Sequence, residues 1–228
     1  MATDQELTFL RSALPFWEQL SGEDREMLTQ TIQTMTVPAG ELVYNAGDKC
    51  LGVLFLRRGR LRAYLAGADG REITLYFIGL NDMTMLASSC ILNTPALPVT
   101  VEAEEDSQLC VIPPQAYTHL LTSCPAAERY LTQALDRSFH LTLKAVESVV
   151  FLTLEQRMAL LLLQQATFEQ TPRLHLTQEK LSRQLGTARE VVSRQLKRFA
   201  DAGALRTFRG GIELLDEQVL ADLVPEVF

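Results

Sequence analysis

The chain of 228 residues has little of what metal, disulfide or membrane chemistry requires. It has four cysteines, at 50, 90, 110 and 124, and no two share the C-x-x-C spacing of a zinc knuckle or a thioredoxin-type site. They read as reduced thiols of a cytoplasmic protein. Histidine is scarcer, with three copies, the first at His119, so the clustered ligands of a metal-holding β-barrel enzyme are missing from the strand region before it. Long apolar runs are absent as well. The longest leucine run is Leu160 to Leu163, far short of the ~20 residues of a membrane helix. Met1-Ala2-Thr3-Asp4-Gln5-Glu6 has no basic stretch ahead of an apolar one, so no secretory signal is expected. What remains, 47% hydrophobic and 21% charged, has the balance of a folded globular chain rather than a disordered one.

The net charge of −7 is unevenly spread. Residues 1–150 hold 11 basic against 18 acidic side chains, whereas 151–228 hold 10 of each. Between 177 and 211, eight cations (Lys180, Arg183, Arg189, Arg194, Lys197, Arg198, Arg206, Arg209) face three acids (Glu179, Glu190, Asp201), a local +5. A basic patch on an acidic chain attracts phosphate at one face, as a nucleic-acid reader requires.

Three regions follow from periodicity. The first 36 residues read as helical, with Ser21 and Asp24 spaced as a capping box. From about 37 to 113 short β-prone runs alternate with turns, including Asp69-Gly70 between two alternating segments, the pattern of a β-roll or barrel. The run from Arg60 to Leu65 alternates so as to put one face in the core. From Pro125 to about Val150 no Gly or Pro interrupts a wide apolar stripe. Such a helix is longer than a small domain uses internally, and pairing with a second copy explains its length. We therefore expect an α+β chain with a sensor domain and N-terminal helices at 1–123, a dimerisation helix at 124–150 and a third domain at 151–228.

That third domain carries the sharpest signal. Thr177 is placed to cap a helix that Gly186 ends, and Thr187 and Glu190 are spaced as a capping box for a second helix that Gly203 ends. Leu181, Leu185, Val192, Leu196 and Phe199 can meet between the two. Two helices joined by a tight glycine turn form a helix-turn-helix, whose second helix enters a DNA major groove N-terminus first. Arg189, Ser193 and Lys197 then share one helix face, with Glu190, Arg194 and Arg198 beside it. Arginine can bond guanine in two places, a carboxylate can accept from cytosine, and the remaining cations hold phosphates. Leu205 to Leu215, with Gly210-Gly211 at its tip, reads as a wing that presents Arg206 and Arg209.

The segment Arg189-Glu190-Val191-Val192-Ser193-Arg194, the wing, the long helix and the β-roll together resemble the CRP/FNR family of bacterial transcription regulators. The resemblance covers essentially the whole chain. It implies a cyclic-nucleotide-binding-type β-roll, a dimerisation helix and a C-terminal winged helix-turn-helix. It also implies a homodimer on a palindromic site in double-stranded DNA, with RNA polymerase as a further partner. By position, Arg189, Glu190 and Arg194 match base-reading residues of the cyclic-AMP receptor type. Glu190, Ser193 and Arg194 match those of the FNR type, with its TTGAT-like half-site, and Ser193 favours the latter. Thr187, Lys197, Arg206 and Arg209 complete the expected DNA-binding set.

The sensor end departs from both types. Cyclic-nucleotide binders carry a glutamate and an arginine in the phosphate segment, and 82–99 here has no glutamate and no cation. A phosphate buried there would lack its countercharge. No cysteine cluster near the N-terminus could hold an iron–sulfur centre. The expected effector pocket is Tyr64, Met85, Leu86, Ser88, Ser89 and Cys90, apolar and soft. Its effector is an unidentified small molecule. Haem, with His119, His140 or Cys90 as axial ligand, and a redox-active Cys90 are the alternatives that the residues suggest.

Overall fold

Alternating β-branched residues at 33–37 and a proline at 38 fix where the N-terminal helices give way to sheet. The structure, a computed structural model, describes residues 4–45, 48, 51–80, 82–83, 91 and 98–225. Helices α1 (Asp4–Ala13) and α2 (Gly22–Thr31) flank a 3-10 turn at Trp17–Gln19. Ser21 and Asp24 form the capping box expected for α2. The helical reading of the first 36 residues runs too far. β1 (Gln33–Val37) begins at Gln33, because Thr34 and Thr36 alternate with Met35 and Val37 and the strand finds a partner in β7.

The strands β2 (Leu42–Tyr44), β3 (Val53–Arg58), β4 (Leu61–Ala66), β5 (Glu72–Ile78), β6 (Thr100–Ala103) and β7 (Ser107–Ile112) form two sheets, ordered β1-β7-β3 and β2-β6-β4-β5. α3 (Pro114–Ser123) follows, then α4 (Pro125–Phe151), 27 residues without interruption. Leu10, Leu14, Trp17, Leu28, Phe55, Ile112, Tyr117, Leu120, Ala127, Leu131 and Ala134 share one core, so the first half of α4 is anchored against the N-terminal helices and the sheet.

The chain divides into two compact units, Met1–Leu65 with Leu75–Thr142, and Ala66–Thr74 with Leu143–Phe228. In the second, α5 (Leu154–Glu169) starts at a Thr153–Gln156 capping box. There follow β8 (Arg173–Leu174), α6 (Gln178–Leu185), α7 (Arg189–Asp201), β9 (Leu205–Phe208), β10 (Gly211–Leu214) and α8 (Glu217–Ala221). The sheet order is β8-β10-β9. Gly211 lies within β10, and a Cβ there would run into the Leu174 carbonyl and the Phe208 ring. The wing tip is therefore Arg209-Gly210, one residue earlier than the sequence reading placed it.

β4 also departs from expectation. Both of its faces are buried, with Leu61 and Ala63 on one and Arg62 and Tyr64 on the other. Arg62, fully buried, meets Glu102 of β6 directly across the ladder, at 3.3 Å between Nη1 and Oε1. Its guanidinium lies 4.5 Å from the centre of the Tyr64 ring. A charge is stable there because the opposite charge is buried beside it.

Candidate nucleic-acid interface

The two helices of the motif are set by their ends. Thr177 Oγ1 accepts from the Lys180 amide at 3.1 Å and so caps α6. Gly186 takes the left-handed conformation (φ +64°). The amides of Gly186 and Thr187 return to the carbonyls of Arg183 and Ser182, closing α6 as a Schellman motif. Because the Thr187 amide is used in that closure, α7 starts one residue later than its sequence suggested. Its N-cap is Ala188, which has no side-chain cap, and the Thr187–Glu190 capping box does not form.

α7 buries Val192, Leu196 and Phe199 together with Gln195, against Leu181 and Leu185 of α6 and the rest of the unit's apolar interior. Two contacts outside the motif hold it in place, and sequence reading missed both. Gln195 Nε2 donates to Glu155 Oε1 of α5 at 2.7 Å, and Arg157 Nη2 donates to the Leu185 carbonyl at 2.8 Å. A glutamine at a buried helical position and an arginine one turn into α5 were the available signals.

The opposite face of α7 is solvent. Arg189, Glu190, Ser193, Arg194, Lys197 and Arg198 are all exposed. Thr187 is half-buried in the turn. Arg206 is exposed on β9, with Nε 2.7 Å from Glu213 Oε2 across the wing ladder, and Arg209 is exposed at the wing tip. The Glu213 hydrogen bond holds the Arg206 guanidinium above, and the Glu213 carboxyl below, their usual ranges. A groove of about 350 Å³ runs between Thr177, Gln178 and Glu179 at the start of α6, Arg189 at the start of α7, and Thr207, Phe208 and Gly210 of the wing. The Arg173 guanidinium covers the Phe208 ring at 4.7 Å, which stiffens the wing base.

At the sensor end, Tyr64 is buried on β4. Met85, Leu86, Ser88, Ser89 and Cys90 lie outside the described residues. The two histidines considered as haem ligands are engaged elsewhere. His119 Nε2 lies 3.1 Å from Asp24 Oδ1, and His140 Nδ1 lies 2.9 Å from the Asp136 carbonyl; both side chains are more than half exposed. Cys110 and Cys124 are buried free thiols, and burial pushes Cys110 up to about 11, the opposite of a reactive thiolate. Among the described residues, no three His, Cys, Asp or Glu side chains cluster as metal ligands, and no helix is long and apolar enough to cross a membrane.

Comparison with known proteins agrees with this architecture. Residues 34–124 match the model of the cyclic nucleotide-binding domain, and 156–223 match that of the Crp-like helix-turn-helix domain. The crystal structure of a transcriptional regulator assigned to the CRP/FNR family from Eubacterium rectale superposes with a TM-score of 0.85 at 31% identity, over 93% of this chain and 98% of that one. The chain belongs to the CRP/FNR family of transcription regulators. Other relatives of the CRP/FNR type are the cyclic AMP receptor protein of Thermus thermophilus and the transcriptional activator FnrA of Stutzerimonas stutzeri. The first is 22% identical over 92% of this chain and 96% of its own. The second is 26% identical over 78% and 74%. The winged unit is thus the DNA-binding helix-turn-helix of a CRP/FNR regulator, and DNA is its partner.

Proposed function

We propose that this regulator binds a palindromic, FNR-like promoter site as a homodimer and that its β-roll couples an effector other than a cyclic nucleotide to that binding. The observation that carries the DNA half is the division of α7. Val192, Leu196 and Phe199 are buried, while Arg189, Glu190, Ser193 and Arg194 stand in solvent on the opposite side. In this reading those four contact base edges, and Thr187, Lys197, Arg206 and Arg209 hold phosphates. Glu213 occupies one of the five guanidinium donors of Arg206 and holds the side chain along the wing.

The homodimer rests on α4. Its first half is anchored in the core, but Phe139, Leu143, Val146 and Val150, at four-three-four spacing, are 44–63% exposed. A helix seam of that spacing is what a second copy would cover. The effector reading rests on charge. The segment 82–99 has no cation, and the two buried arginines at β4 are engaged, Arg62 with Glu102 and Arg60 with its guanidinium 3.8 Å from the centre of the Phe77 ring. A phosphodiester in the roll would have to draw one of them away from its present neighbour. RNA polymerase is the further partner of a promoter-bound regulator.

The test is a salt series of duplex binding on a site selected from random sequence. Arg194→Ala should weaken the selected site by about 1–3 kcal/mol per half-site and spare random duplex. Lys197→Ala should weaken both alike and reduce the salt slope by about 1 per protomer. Unchanged affinity for Arg194→Ala would refute the base-reading assignment. Titration calorimetry with cyclic AMP and cyclic GMP should show no binding, and saturable heat with either would refute the effector reading.

A further inference from the structure

The first turns of α5 reach both helices of the motif. Arg157 is half-buried, and its Nη2 donates to the Leu185 carbonyl at 2.8 Å. Leu185 is the last residue of α6, and the final carbonyls of a helix find no partner within it. The Gly186 and Thr187 amides return to those of Arg183 and Ser182, and Arg157 takes the one nearest the turn. Glu155 stands in the first turn of α5, where the helix dipole favours a carboxylate. Its Oε1 accepts from Gln195 Nε2 of α7 at 2.7 Å. Gln195 is 8% exposed and shares the buried face of α7 with Val192, Leu196 and Phe199, at a position that the helical pattern gives to an apolar side chain.

We infer that the Glu155–Gln195 hydrogen bond is a positioning contact that fixes the roll of α7 about its own axis, and so determines which base edges its exposed side chains meet. This deepens the DNA-binding reading above and rests on it. Burial of Val192, Leu196 and Phe199 holds α7 to the unit, but apolar burial has no direction and tolerates a small rotation. The start of α7 does not resist one either, since Ala188 offers no side-chain cap. A hydrogen bond to a carboxylate is both directional and strong. Rolling a helix by about 10° moves atoms at its outer radius of about 5–6 Å by about 1 Å. An N–H···O bond keeps its length only within about 0.5 Å, so base contacts fail before apolar packing does. Arg194, the chain neighbour of Gln195, stands in solvent and would be carried by any such roll. One polar residue in an apolar seam fixes register at a cost in stability, as a buried asparagine does in a coiled coil. Gln195 touches no DNA in this scheme and acts through Arg189, Glu190, Ser193 and Arg194.

The experiment measures, on the full-length protein, the ratio of affinities for the selected duplex and for random duplex. Glu155→Leu/Gln195→Leu removes both polar partners together, so neither is left unpaired and the urea midpoint should stay near that of wild type. Its ratio should fall about 10-fold, the weight of one hydrogen bond to a charged group. Its affinity for random duplex, which phosphates dominate, should not fall. Glu155→Gln removes the charge but keeps an acceptor for Gln195, and should hold the ratio near the wild-type value, which separates geometry from charge. Glu155→Ala changes nothing on α7 and should lower the ratio as the double variant does, so the test survives a leucine pair that fails to fold. An unchanged ratio in the folded variants, a loss shared equally by both duplexes, or an equal loss of ratio in Glu155→Gln overturns the proposal. A wild type that prefers no duplex over random sequence overturns instead the base-reading assignment beneath it.

Discussion

Val146→Glu is the substitution that most directly tests the dimer. Val146 is 50% exposed on α4, so within the protomer only half its side chain is buried and replacing it should leave the fold intact. Covering the other half in a dimer is worth about 1 kcal/mol per protomer. A symmetric seam brings position 146 of one copy near the same position of the other, so two glutamates would face each other. At about 6 Å and an effective dielectric constant of about 20, their repulsion is about 3 kcal/mol. With the lost burial counted in both copies, the total is about 5 kcal/mol, or a dimer dissociation constant raised by more than a thousandfold. Sedimentation equilibrium reads this directly. Wild type should be dimeric at micromolar concentration and Val146→Glu monomeric, with the same circular dichroism. A monomeric wild type, or a variant that dimerises as well as wild type, would refute the reasoning.

The buried ion pair and the α2 cap give two more tests. Glu102→Gln should destabilise the β-roll by about 3–5 kcal/mol because it removes the opposite charge from beside the buried Arg62 guanidinium. Arg62→Met/Glu102→Leu should recover most of that loss in urea unfolding, and a double variant no better than the single one would mean that the pair is not coupled. Asp24 is nearly inaccessible to solvent. Burial would raise its carboxyl, but hydrogen bonds from the Ser21 and Ser123 hydroxyls and the Ser21 amide, with His119 beside it, outweigh that and hold it below its ordinary 3.8. A depressed carboxyl stabilises the fold above that value and ceases to do so as pH falls through the lower native one. The urea midpoint of wild type should therefore drop more steeply below about pH 4 than that of Asp24→Asn. Parallel acid limbs would refute this.

Much of the fold was legible because its signals are local. The Ser21–Asp24 box, the Asp69-Gly70 turn, the Thr177 cap and left-handed Gly186 each act within a few residues, and each is where the sequence places it. The errors came where a distant partner decides. Gln33–Thr36 became strand because β7 was there to pair with, and Thr187 gave up the cap of α7 because its amide was needed to close α6. Alternation at Arg60–Leu65 signalled one buried face; that the other is buried too depends on Glu102, a residue on another strand that no periodicity connects to Arg62. The same limit hid the supports of the motif, since nothing in Glu155 or Arg157 says that their partners are Gln195 and Leu185, 40 and 28 residues on.

The charge distribution leads to one more consequence. The stretch 177–211 carries +5 while the chain totals −7, so the remainder carries −12. At about 0.15 M salt the screening length is about 8 Å, and DNA at α7 responds chiefly to the nearby cations. There the logarithm of affinity should fall linearly with the logarithm of salt, as counterion release dictates. At about 0.01 M the screening length grows to about 30 Å, comparable to a domain, and the −12 of the remainder begins to repel the same phosphates. The line should therefore flatten on the low-salt side, unlike that of a uniformly basic DNA-binding protein, whose affinity keeps rising. Fluorescence anisotropy on random duplex isolates this electrostatic part from base reading. A straight line from about 0.2 M down to about 0.01 M salt would show that the acidic remainder does not reach the bound duplex.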